Sequence, residues 1–82
     1  MKTTGKAAKH IALNEYIMID PEILGGDPVF RGTRVPVSSL FEHLESGGPL
    51  DEFLENFPSV THDAAIAVLE GAQELTLEKA GR

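Results

Sequence analysis

The apolar positions of this chain change their spacing twice. Up to about Leu13, Lys, Thr, Gly and Ala alternate without a period, which predicts a flexible basic tail over residues 1–13. Tyr16, Ile17, Met18 and Ile19 then form a short β-prone run that is apolar on both strand faces. Asp20-Pro21 ends it, because the residue before proline is held extended. Punctuation is dense from there: Gly25-Gly26, Asp27-Pro28, and Gly32 between the β-prone runs Val29-Phe30 and Val35-Pro36-Val37. This pattern predicts a loop followed by a small hairpin with Arg31, Gly32, Thr33 and Arg34 at its tip. Pro36 cannot donate to a ladder, so its strand belongs at an edge.

From Ser38 the spacing becomes helical. Ser39 and Glu42 fit a capping box, in which the hydroxyl accepts from a first-turn N–H and the carboxylate reaches back to the cap. Val37, Leu40, Phe41 and Leu44 share one face, and Gly47 is placed to end this first helix. A second helix starts near Pro49, with Asp51 and Glu52 in its first turn and Leu50, Phe53, Leu54 and Phe57 as its stripe; Pro58 stops it. Thr61 is the expected N-cap of a third and longest helix, with Ala65, Val68, Leu69, Ala72 and Leu75 as its apolar face. Gly71 inside it implies a close packing contact or an early end, since Gly costs about 1 kcal/mol there relative to Ala. The fold class expected is mainly α: a short β-hairpin followed by a three-helix, helix-turn-helix-like domain of winged-helix or homeodomain-like type over 14–78, with a C-terminal tail over 79–82.

At 82 residues one small domain is accommodated, and such a domain buries only about 60% of its unfolded surface. No Cys is present to form disulfides or thiolate metal sites, so self-association into a homodimer is the expected support. No run of about 20 apolar residues exists to span a membrane, and residues 1–10 lack the apolar stretch of a secretory signal; a cytoplasmic protein is the expectation. The net charge of −6 is unevenly spread. Residues 1–10 carry Lys2, Lys6 and Lys9 and no acid, whereas residues 11–78 hold all 13 acidic side chains against Arg31 and Arg34 alone, a net −11. A body this acidic repels a phosphate backbone, so nucleic-acid contacts fall to the tail, the two arginines or another chain.

The residues offer little for catalysis. Ser38 and Ser39 are better read as helix caps than as nucleophiles, and His10, His43 and His62 show no metal-site spacing and read as surface residues. Glu42, Glu45, Asp51, Glu52 and Glu55 read as first-turn and solvated-face carboxylates. No enzyme and no cofactor is expected. Gly25-Gly26 reads as a turn rather than an anion nest, because no helix opens after it. Arg31 and Arg34 bind phosphate or pair with the acids, two readings of equal weight. The helix pair around Pro58 has the outline of a helix-turn-helix, but the start of its second helix offers His62 and Asp63 and no Arg or Lys to base edges.

The run from Asp20 to Val37, containing Gly25-Gly26-Asp27-Pro28 and Gly32-Thr33-Arg34-Val35-Pro36-Val37, followed by Gly47 and then by Phe53 to Thr61, resembles the prokaryotic family known as domain of unknown function 433. The likeness extends from about Tyr16 to Leu75. It implies a helix-turn-helix-like antitoxin of the VapB type, paired with a PIN-like ribonuclease toxin, forming a homodimer and repressing its own operon. Two positions depart from the pattern: Asp27 stands where relatives often carry a basic residue, and Pro49 where they often carry Ser or Thr. The expected activity is neutralisation of the toxin by direct protein contact. The alternatives are a DNA-binding regulator without a toxin and a dimeric adaptor. Lys2, Lys6, Lys9, Arg31, Thr33, Arg34 and His62 are the candidate nucleic-acid contacts.

Overall fold

The computed structural model describes residues 13–81. A 3-10 turn, Leu13–Glu15, leads into strand β1, Ile17–Met18. After a second 3-10 turn, Leu24–Gly26, come strand β2, Val29–Phe30, and the helices α1, Val37–Glu45, α2, Leu50–Asn56, and α3, His62–Lys79. The fold is mainly helical, with a short antiparallel β element in front of three helices, as the spacing predicts.

The β element is assembled less locally than expected. β2 pairs with β1, Ile17 opposite Phe30 and Met18 opposite Val29. The expected pairing of Val29-Phe30 with the segment after the turn is reduced to one bridge, Val29 with Pro36, and one hydrogen bond from the Phe30 N–H to the Val35 carbonyl at 3.0 Å. Pro36 lacks an N–H, and Val37 already belongs to α1, so that segment has no length in which to continue as a strand. The turn itself closes through Thr33 N–H to the Phe30 carbonyl at 3.0 Å, with Gly32 at φ +81° supplying the left-handed position.

Neither Ser38 nor Ser39 caps α1. The helix starts two residues before Ser39, its N-cap is Pro36, and no side chain caps it. A tertiary bond substitutes: the Val37 N–H donates to the Pro28 carbonyl at 3.0 Å, tying the helix start to the entry of β2. At its other end Gly47, φ +97°, allows the paired bonds Gly47 N–H to Leu44 and Gly48 N–H to His43 that satisfy the last carbonyls. α2 likewise starts from Pro49 without a side-chain cap and places Asp51 and Glu52 in its first turn. α3 is capped as expected, Thr61 Oγ1 accepting from the Ala64 N–H at 3.1 Å.

The core is one cluster in which Phe30, Leu40, Phe53, Val60, Ala64, Ala65 and Val68 are buried together. Phe53 stands at its centre, its ring 4.8 Å from Phe57, 5.8 Å from His43 and 6.4 Å from Phe30, centroid to centroid, so β2, α1 and α2 meet on one side chain. The expected face of α3 is only half used. Its N-terminal half is buried through Val68, whereas Leu75 is 55% exposed and Leu77 40%. Gly71 marks the crossover. The helix does not end there; a Cβ at that position would lie 3.0 Å from Leu13 Cδ1, so the glycine admits the leucine of the entering turn.

Candidate functional site

The second and third helices are held as a helix-turn-helix pair by local chemistry. Phe57 ends α2, the Val60 N–H donates to the Phe57 carbonyl at 2.9 Å across the connection, and Val60 is buried in the core next to Thr61, whose hydroxyl starts α3. The exposed residues at the start of α3 are His62 and Asp63, with Glu70, Gln73 and Glu74 further along. Their carboxylates would face phosphate, and no guanidinium or ammonium stands among them.

The hairpin tip divides its candidate residues between two tasks. Arg31 is exposed but engaged: Nε and Nη2 donate to the Asn14 carbonyl at 3.1 and 2.7 Å, and Nη2 also donates to the Ile17 carbonyl at 3.1 Å. It pairs with no acid within 4 Å, so the expectation of phosphate binder or ion-pair partner gives way to a third role, a clamp that fastens the 3-10 turn and β1 to β2. Thr33 is likewise built in, its Oγ1 donating to the Phe30 carbonyl at 2.8 Å and accepting from the Val35 N–H at 2.9 Å. Arg34 and His62 are exposed. Lys2, Lys6 and Lys9 lie outside the described residues. The structure therefore brings Arg31 and Thr33 together as turn architecture and leaves Arg34 as the outward-facing cation of the tip.

The loop before β2 uses its own N–H groups. Those of Gly26 and Asp27 donate to the Ile23 and Leu24 carbonyls at 3.1 and 3.2 Å, and the Glu22 N–H donates to Asp20 Oδ1 at 2.9 Å. The N–H groups of Gly26 and Asp27 are thus spent on the turn itself rather than offered to an anion. Leu24 adopts φ +53°, a left-handed position costly for a branched side chain.

His43 is the residue whose role the sequence reading missed. It is not a plain surface histidine: its side chain is 18% exposed, its ring packs 5.8 Å from the Phe53 ring, and Nε2 donates to the Pro49 carbonyl at 2.9 Å, which fixes the protonated nitrogen. Glu52 Oε1 lies 3.6 Å from the same nitrogen. The imidazole thereby closes the turn between α1 and α2, and Gly48 is its counterpart, since a Cβ there would overlap the ring. The signal available in advance was the pair of glycines ahead of Pro49 at helical reach from His43.

The acids at Glu42, Glu45, Asp51, Glu52 and Glu55 are all exposed. Among the described residues no group of three or more His, Cys, Asp or Glu side chains could hold a metal ion, and no helix is long and apolar enough to cross a membrane.

Residues 17–70 match the family described as Protein of unknown function (DUF433). The chain is 43% identical over 49 residues to the uncharacterized protein y4eO of Sinorhizobium fredii (strain NBRC 101917 / NGR234), a match spanning 60% of this chain and 22% of that protein. In three dimensions it resembles the crystal structure, at 2.00 Å resolution, of a DUF433 member protein from Anabaena variabilis ATCC 29413. The TM-score is 0.65 at 26% identity, covering 95% of this chain and 79% of the other. The β element, α1, α2 and the first half of α3 lie within the matched residues, and the chain belongs to the DUF433 family.

Proposed function

We propose that this chain is the antitoxin of a type II toxin–antitoxin pair and neutralises a PIN-like ribonuclease by direct protein contact. The observation that carries the reading is the charge of the folded body. Residues 13–81 hold all 13 acids against Arg31, Arg34 and Lys79, a net −10, and Arg31 is engaged by backbone carbonyls. A nuclease cleft that binds a polyanion is positively charged, and an acidic body of this kind matches it in sign, which steers encounter and excludes RNA. The partner class proposed is the one that the resemblance in the sequence implies. The test is co-expression with the product of the adjacent gene, followed by affinity capture and a growth assay. A stable complex and restored growth are expected; no complex together with no rescue refutes the reading.

A second reading, repression of the operon through α2 and α3, is favoured by one observation, the well-capped α3 behind a tight connection. Its contacts would come from Lys2, Lys6, Lys9 and Arg34, with His62 at the helix start. Absence of any promoter shift at low salt, with and without the toxin, rules it out.

A further inference from the structure

The outer edge of β1 is a surface separate from the helix pair. The Arg31 N–H donates to the Tyr16 carbonyl at 2.8 Å, and bonded and non-bonded pairs alternate along an antiparallel ladder. Met18 and Val29 are therefore the next bonded pair, and Ile17 and Ile19 turn their N–H and C=O groups outward. The far edge of β2 is already taken, by the bonds from Phe30 N–H to Val35 and from Val37 N–H to Pro28. Among the described residues the β1 edge instead faces an open groove of about 670 Å³ walled by Leu13, Met18, Ile19, Asp20, Pro21 and Arg31. Ile19, on its rim, is 67% exposed.

We infer that this groove is the interface between two copies of the chain: the β1 strands lie antiparallel about a two-fold axis at Met18, giving a four-stranded sheet in the order β2, β1, partner β1, partner β2. The groove is complementary to itself in three respects. In this register Ile17 stands opposite the partner's Ile19, so all four outward-facing residues exchange hydrogen bonds. Arg31 Nη2 is one donor to the Ile17 carbonyl, and a carbonyl oxygen can accept two, so a partner N–H can share it. The groove is also basic at one end and acidic at the other: the guanidinium sits beside Ile17, whereas Asp20 and Glu22 follow Ile19. An antiparallel two-fold brings each Arg31 toward the partner's Asp20 and Glu22. An extended peptide from an unrelated protein would match this charge order only by chance, whereas a second copy does so by symmetry.

The competing apolar surface is the end of α3, but Leu75 and Leu77 are two residues apart, about 200° around a helix, and form no shared face. The net charge of −6 per chain opposes association at long range, and screening at 0.15 M salt confines that repulsion to about 8 Å.

Because the chain has no Cys, one introduced thiol reports the geometry without ambiguity. Met18 faces the partner's Met18 across a non-bonded pair, where Cα atoms lie about 4.5 Å apart, within disulfide range. The full-length chain carrying Met18→Cys is expected to form a disulfide dimer under mild oxidation, while Leu75→Cys does not. Sedimentation equilibrium of the wild type at 0.15 M salt should show a dimer, and Ile19→Lys, which keeps the protomer's own ladder, should weaken it at least tenfold while retaining the wild-type circular dichroism spectrum. A wild type that sediments as a monomer at 100 µM, cross-linking through Leu75→Cys in place of Met18→Cys, or a dimer indifferent to Ile19→Lys overturns the assignment.

Discussion

Arg31→Lys separates the clamp from a phosphate-binding role, because the two depend on different properties of the same side chain. A phosphate contact at an exposed turn depends chiefly on the positive charge, which lysine keeps. The clamp depends on the planar fork: Nε and Nη2 reach the Asn14 carbonyl together, and Nη2 continues to Ile17. A single ammonium cannot hold that arrangement. Hydrogen bonds from charged donors contribute about 1.5–3 kcal/mol where water is excluded, but Arg31 is exposed and water can replace it at both carbonyls, so the net loss is about 1–2 kcal/mol. For a chain whose total stability is about 4–12 kcal/mol this is a substantial fraction. It lowers Tm by about 4–16 °C in a domain of this size. The assay is thermal unfolding by circular dichroism, paired with amide exchange at Met18, whose N–H points into the β1–β2 ladder and should lose protection. An Arg31→Lys protein that melts within 1 °C of the wild type, with unchanged protection at Met18, refutes the clamp.

Further substitutions test the packing, the helix starts and the turn between α1 and α2. Phe53→Ala removes the ring at the centre of the core and should cost about 3–5 kcal/mol, enough to abolish a cooperative melt; a sharp transition with a Tm near that of the wild type would show that the aromatic contacts are incidental. Thr61→Ala should destabilise by about 1 kcal/mol through loss of the α3 cap, while Ser39→Ala should stay within about 0.5 kcal/mol because Ser39 lies inside α1, and denaturant titration of the pair decides between them. Gly48→Ala should destabilise by overlap with the His43 ring, and the double variant with His43→Ala should recover part of the loss, a coupling that a double-mutant cycle measures directly.

What could be read from the sequence was what is decided within one turn of chain. Thr61 caps α3, Pro49 and Pro58 bracket α2, and Phe53 lies on the buried stripe, because each depends on neighbours three or four residues away. Most of the misread features depend on distant groups. Ser39 has the right spacing for a capping box, yet α1 begins earlier because the Pro28 carbonyl, nine residues back, is available to the Val37 N–H. Val29-Phe30 takes β1 as its ladder partner, a choice between two-residue strands that propensity cannot weigh. The charge pattern pairs Arg31 with phosphates or carboxylates, whereas its acceptors are backbone carbonyls, which every residue possesses and no charge pattern reveals. Leu75 continues the helical stripe in period but lies beyond the core, since α3 extends further than the elements packed against it.

The clamp also sets what DNA binding by this chain can look like. With Arg31 engaged and Lys79 outside the contacts of the repressor reading, Arg34 is the one cation that the folded body brings to a duplex on that reading, two per two-fold dimer. Each neutralised phosphate contributes about 0.9 to the slope of log K against log salt, so the body alone gives a slope of about −2 and binding too weak for an operator. Lys2, Lys6 and Lys9 raise the count to four per protomer and eight per dimer, and the slope to about −7. Fluorescence anisotropy with promoter DNA between 50 and 200 mM salt, on the full chain and on one lacking residues 1–10, measures the difference. On the repressor reading the slope should fall from about −7 to about −2 on deletion, with affinity largely lost at the upper salt limit. A slope unaffected by the deletion would mean that the duplex is held by the acidic body, against the charge placement of the fold.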